Sequence, residues 1–96
     1  MNITINAVKF KADEKLQSFI NEKVSKLDRQ SSSLLGAEVT LRIDKPETEK
    51  NKMVDIRLVV RGNDLFASKQ ADTFEEAVML TIDALKTQIS RNKEKK

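Results

Sequence analysis

Ala37-Glu38-Val39-Thr40-Leu41-Arg42-Ile43-Asp44 alternates apolar and polar residues without a break. A period of two puts Ala37, Val39, Leu41 and Ile43 on one side of an extended chain and Glu38, Thr40, Arg42 and Asp44 on the other. Such a strand has one buried and one solvated face, as is usual in antiparallel or mixed sheets. Residues 52–61 repeat the pattern, with Val54, Ile56, Leu58 and Val60 facing in and Asp55, Arg57 and Arg61 facing out. The polar connection between the two, residues 45–51, holds the only proline. Gly62-Asn63-Asp64 then offers residues that tolerate positive φ, so a hairpin is expected to lead into a further strand over 65–71. The pattern leaves the inward face of that last strand open.

Working outward, Ile3, Ile5 and Ala7 alternate with Asn2, Thr4 and Asn6, which suits a short opening strand. Asp13 is placed to cap a helix in which Leu16, Phe19, Ile20, Val24 and Leu27 recur at helical spacing, ending near Arg29. Residues 30–36, with three consecutive serines, read as a loop. At the other end, residues 72–96 form one amphipathic helix, capped by Asp72 or Thr73, each with a glutamate three residues on. Its apolar stripe is Phe74, Val78, Ile82, Leu85 and Ile89. The order is β-α-β-β-β-α. Each helix has a single apolar stripe and the sheet a single apolar face, so the expected fold is an α+β two-layer sandwich, a four-stranded sheet with both helices on one face. The first two strands, joined through a helix, are expected to be parallel with a right-handed crossover. Residues 1–90 form a single domain in this reading, and 91–96 a basic tail that continues the last helix.

Ninety-six residues make one domain. A chain of this size buries about 60–65% of its unfolded surface, enough for a core but not for a deep substrate cavity. There is no cysteine and no histidine, which removes disulfides, thiolate metal sites and the commonest general base. With two glycines there is no glycine-rich phosphate loop. The carboxylate pairs Asp13/Glu14 and Glu75/Glu76 fall at helix starts, where capping and the helix dipole account for them. The expectation is a protein that is not an enzyme, with no metal, no cofactor and no small-molecule substrate. No apolar run approaches the roughly 20 residues that span a bilayer, and the opening residues lack a secretion signal. A monomeric, cytoplasmic protein without a membrane partner is expected.

The formal charge is only +3, so any attraction for a polyanion must come from local clustering. The last helix opens on Asp72, Glu75, Glu76 and Asp83 and closes on Lys86, Arg91, Lys93, Lys95 and Lys96, opposed by Glu94. Its dipole favours that order, but the basic run outlasts the apolar stripe. The first helix ends on Lys23, Lys26 and Arg29. Lys23 interrupts the stripe, and a snorkelling side chain accounts for it as well as a ligand contact does. If the two helix ends meet, they make one patch for nucleic-acid phosphates, with affinity that falls steeply with salt. On the solvated sheet face Arg42, Arg57 and Arg61 interleave with Glu38, Asp44 and Asp55, and cross-strand ion pairing is the plainer account. Lys45 has no such alternating partner and is the better ligand contact. Phe10, Phe19, Phe66 and Phe74, the only aromatics, occupy core-like positions for the most part, so no stacking platform is expected.

With these elements placed, the chain resembles the ribosome hibernation-promoting factors, also called the ribosome-associated inhibitor or S30AE family, over nearly its whole length. Asn2-Ile3-Thr4 is similar to the family's first strand. Lys23-Val24-Ser25-Lys26-Leu27 resembles its Lys-x-x-Lys-Leu at the end of the first helix. Val39-Thr40-Leu41-Arg42-Ile43-Asp44-Lys45 is similar to its second strand and Leu65-Phe66-Ala67-Ser68 to its fourth. Ala77, Ile82-Asp83, Leu85, Gln88-Ile89, Arg91 and Lys93 resemble the closing helix and basic tail. The chain departs from the family pattern at Phe74, where many members have Tyr, at Met79, where Asp is frequent, and at Thr87, which replaces an Arg that Lys86 beside it compensates. Ending at Lys96, it resembles the short form. The resemblance implies a non-enzymatic translation inhibitor that binds the small ribosomal subunit and its ribosomal RNA in the decoding region. There it would occlude the messenger and transfer-RNA sites and idle ribosomes under stress or in stationary phase. Lys23, Lys26, Arg29, Arg42, Lys45, Lys86, Arg91, Lys93 and Lys95 are the expected phosphate contacts. Two other readings remain open: a protein-interaction adaptor using the sheet face or the outward Leu80, and a general double-stranded RNA binder.

Overall fold

A computed structural model describes residues 1–30, 34–45 and 49–94, the side chains of 92–94 excepted. The elements follow the expected order: β1 Asn2–Ala7, α1 Glu14–Ser25 followed by a 3-10 turn Lys26–Arg29, β2 Leu34–Ile43, β3 Lys52–Val60, β4 Leu65–Ala71 and α2 Phe74–Glu94. The four strands form one sheet in the order β1-β2-β3-β4. β1 pairs with β2 in parallel, Ile3 beside Ala37 and Ile5 beside Val39. The other two pairings are antiparallel.

Alternation sets the faces. Val39, Leu41, Val54, Ile56 and Leu58 are buried against Ile20, Val24 and Leu27 of the first helical segment and Val78, Ile82 and Leu85 of α2. Both helices therefore cover one side of the sheet and leave the other to solvent. Thr81, the one fully buried polar residue among those described in α2, donates its hydroxyl to the Ala77 carbonyl at 2.7 Å. Asp13 caps α1 as expected, its Oδ1 accepting from the Leu16 amide at 2.8 Å. For α2 the cap is Thr73, whose Oγ1 accepts from the Glu76 amide at 3.1 Å. Asp72 instead accepts from the Lys50 amide at 3.0 Å and so ties the β2–β3 connection to the start of α2.

Three local expectations need correction. β2 begins at Leu34, inside the stretch read as loop, because Leu34 pairs with Val60 and is buried. A register shift between Leu34 and Gly36 turns Leu35 outward. A Cβ at Gly36 would stand 3.1 Å from the Asn2 carbonyl oxygen, so glycine lets β1 close against the shifted strand. Ile43, expected inside, is 43% exposed; it is the last residue of its strand and pairs with Lys52 at the margin of the sheet. Phe66, expected in a core-like position, is 57% exposed. β4 buries Leu65, Ala67 and Ala71, so Phe66 must face solvent, directly across from Arg57.

The direction of the helices positions the site. α1 connects two parallel strands and must run back against both. The Phe10 ring, just before α1, stacks on Phe74, the first residue of α2, with centroids 5.2 Å apart and planes 13° from parallel. The two helices thus start side by side. Near the far end of α2, the Gln88 side-chain amide donates to the Phe66 carbonyl at 2.8 Å, back at the start of β4. The helices are therefore parallel to each other, and their last turns share one end of the sheet. The chain's first residue lies at that same end, its ammonium 3.7 Å from Asp28 in the 3-10 turn.

Candidate nucleic-acid interface

Parallel helices bring the two basic runs together. Lys23 and Lys26 close the first helical segment, Arg29 ends the 3-10 turn, and Lys86 and Arg91 lie in the second half of α2. Lys93 occupies the last turn of α2; Lys95 lies outside the described residues. Lys23 is half-buried, with its amine 5.6 Å from the centroid of the Phe19 ring one turn earlier. Its stem covers the core edge while the charge rests on an aromatic face at the rim, so the snorkelling account holds. Lys26 is paired with Glu22 at 3.9 Å, both side chains more than half exposed. Such a helical pair is worth only about 0.3–0.5 kcal/mol, so an incoming phosphate can take the lysine over at little cost. Arg29, Lys86 and Arg91 are exposed and make no ion pair among the described residues.

Arg42 and Lys45 are not part of this cluster. Arg42 lies at the far end of β2 and Lys45 just beyond it, at the end where the helices begin. The Arg42 guanidinium is engaged by Asp55, which also accepts from the Ser68 hydroxyl across the next strand. Arg57 stands between Asp64, bonded at 3.0 and 2.6 Å, and Glu38 at 3.7 Å. Cross-strand pairing is thus what the solvated sheet face shows. The Arg57 hydrogen bond, helped by the Val60 amide, holds the Asp64 carboxyl below the usual carboxylate range, and Asp64 in turn raises the Arg57 guanidinium. Two charges that stabilise each other in this way are less available to a ligand.

Two residues at the cationic end depart from the roles expected of them, Arg61 as a cross-strand ion-pair partner and Phe66 as a core-like side chain. Arg61, in the β3–β4 turn, is exposed and unpaired among the described residues. Phe66 presents its ring on the bare face at the start of β4. The signal for Phe66 lay in the register: pairing Leu58 with Leu65 across the turn forces Phe66 opposite Arg57. No group of three or more carboxylate, histidine or cysteine side chains among the described residues could hold a metal ion. No helix there is long and apolar enough to cross a membrane.

Fold and charge together define a small α+β module with unengaged cations gathered at one end. The chain belongs to the family described as Sigma 54 modulation protein / S30EA ribosomal protein, whose model matches residues 3–96. It is 23% identical over 95 residues to the ribosome hibernation promoting factor of Azotobacter vinelandii, a match covering 99% of this chain and 85% of that protein. Among solved structures it is similar to a ribosomal subunit interface protein from Coxiella burnetii, with a TM-score of 0.87 and 20% identity, over 98% of this chain and 99% of that one. The N-terminal domain of Protein Y from Thermus thermophilus gives a TM-score of 0.82 at 21% identity, covering 95% and 98%. At these identities the structural likenesses establish the fold, a four-stranded mixed sheet carrying two helices.

Proposed function

We propose that this protein is a non-enzymatic translation inhibitor of the cytoplasm that binds the small ribosomal subunit through phosphates of its RNA. In this reading it sits in the decoding region, excludes messenger and transfer RNA, and keeps the particle idle under stress. Family membership supports the ribosome as partner, and so do the names of its relatives, a hibernation promoting factor and a subunit interface protein. The observation that carries the mechanism is the parallel packing of the helices. It gathers Lys23, Lys26 and Arg29 with Lys86 and Arg91, and aims the last turn of α2, with Lys93 and then Lys95, the same way. Cations spread over two elements can meet phosphates of a folded RNA surface without reading bases. Inhibition is then by occupancy, and nothing in it needs a bond to be made or broken.

The test is co-sedimentation of the purified protein with small subunits over a range of salt. A grip on six to ten phosphates should lose roughly 10³–10⁵-fold in affinity between about 50 and 200 mM salt. Arg29→Glu with Arg91→Glu should weaken binding and flatten the salt dependence, each lost contact lowering its slope by roughly 0.7–0.9. Binding that is indifferent to both salt and the double reversal would overturn the reading. An association that also survives nuclease treatment would point to a protein adaptor in its place.

A further inference from the structure

Phe66 is the most exposed of the large hydrophobic side chains that reach solvent, at 57%. It lies on the face of the sheet that no helix covers, on the edge strand β4, at the end where the cations gather. Gln88 fixes this placement: its side-chain amide holds the Phe66 carbonyl at 2.8 Å, which ties the start of β4 to the second half of α2. Arg91 follows Gln88 by three residues, so the two are neighbours on one side of the helix. Arg61, in the turn just before β4, is exposed and makes no ion pair among the described residues. An exposed aromatic ring thus lies at the same end of the sheet as unengaged cations from two elements, Arg61 in the turn and Arg91 on the helix that covers the opposite face. Arg57, directly across from Phe66, is held by Asp64 and Glu38 and is not one of them.

We propose that Phe66 is a stacking site for an unpaired nucleobase, whose adjoining phosphates meet Arg61 and Arg91. This deepens the proposed ribosomal function and rests on it. The chemistry is that of single-strand recognition, in which aromatic rings take bases through their π-faces while cations follow the backbone. The charge at this end of the sheet selects the occupant, because Arg61 and Arg91 are unengaged cations and suit a polyanion better than an apolar protein surface. The inference changes what the partner must offer: an unstacked nucleotide at the margin of the phosphate grip, where a continuous duplex would present none. It also separates this protein from a general binder of double-stranded RNA.

The experiment uses the full chain carrying Phe66→Ala, Phe66→Leu, Phe66→Tyr and Phe66→Trp, titrated against small subunits and against protein-free small-subunit RNA. A side chain this exposed contributes little to the core, and the thermal midpoint of each variant checks that. Loss of one stacked base should weaken binding by roughly 5- to 150-fold. The expected result is that loss for Ala and Leu on both targets, retention for Tyr and Trp, and an unaltered salt slope, since no phosphate contact is removed. Leu binding as well as the wild type would overturn the proposal, because apolar area alone would then suffice. Weakening on intact subunits but not on RNA would overturn it too, by assigning Phe66 to a ribosomal protein. If the wild type binds subunits and the Ala variant binds equally, this inference alone fails. A wild type that does not bind at all removes the proposed function together with it.

Discussion

Lys9 and Lys50 hold left-handed backbones, φ 65° and φ 54°, a conformation that among the other described residues only Gly62, at φ 93°, adopts. For a residue with a Cβ this region costs about 1–2 kcal/mol. At Lys50 the turn is enforced from outside, because its amide must point at Asp72, and a backbone contact of that kind survives any change of side chain. Lys50→Gly should therefore relieve the strain. Part of the gain is lost to the greater freedom of glycine in the unfolded chain, leaving a stabilisation of up to about 1 kcal/mol, or some 4–8 °C in thermal midpoint for a domain of this size. Thermal unfolding of the variant checks this, and a lower midpoint would mean that the lysine side chain itself stabilises the turn. At this scale the basic residues were legible in the sequence as candidates, since charge is visible there. Their engagement was not. Nothing local distinguishes Arg42, locked to Asp55, from Arg91, which has no ion-pair partner among the described residues.

The β3–β4 hairpin is the element whose stability should respond to acid. Asp64 sits in its turn, accepting from Arg57 and from the Val60 amide at 3.2 Å. Its carboxyl titrates lower in the folded than in the unfolded chain. A depressed carboxylate contributes stability that is present above its unfolded value and lost as the pH falls through the folded one. Arg57 is shifted upward, so its own share disappears only in strong alkali. Denaturant unfolding followed from neutral pH downward should show a stability loss below the usual carboxylate range. Asp64→Asn should reduce that part of the loss, and a variant with an unchanged acid profile would show that the pairing contributes nothing. The hairpin also shows what pattern could and could not deliver. Alternation through Val54, Ile56 and Leu58 was unambiguous, and Gly62-Asn63-Asp64 marked the turn. The sense of β4 was not, because Leu65, Phe66 and Ala67 are all apolar and period alone cannot choose between them. Pairing with β3 chose. The start of β2 was missed for a related reason: its first buried residue follows a serine run that reads as loop, and only a partner, Val60, makes it a strand.

Across the whole molecule the deciding quantity is polarity of direction. Two helices that start side by side place their last turns at one end, whereas the end of β2 lies at the other. α2, at 21 residues, is roughly 30 Å long, which sets the scale of that separation. A single cluster cannot span it, so Arg42 and Lys45 could touch RNA only through a second segment. Arg42→Ala with Lys45→Ala should leave the salt slope of subunit binding unchanged, in contrast to reversal of Arg29 and Arg91. A slope reduced by roughly 1.4–1.8 would instead assign both residues to phosphates. The two-layer architecture followed from one apolar face on each element; the parallel direction of the helices emerged only with the structure. The gathering of charge depended on which way α2 runs along β4, which composition does not record. One consequence of the parallel β1–β2 pairing concerns biosynthesis. The leading strand must wait through α1 and the serine segment before its neighbour is translated, whereas β2, β3 and β4 find one another as they emerge. Ile3 and Ile5 thus remain uncovered on the growing polypeptide until the meander forms a template for them, so cotranslational assembly should proceed from the middle of the chain outward, with its beginning docked late.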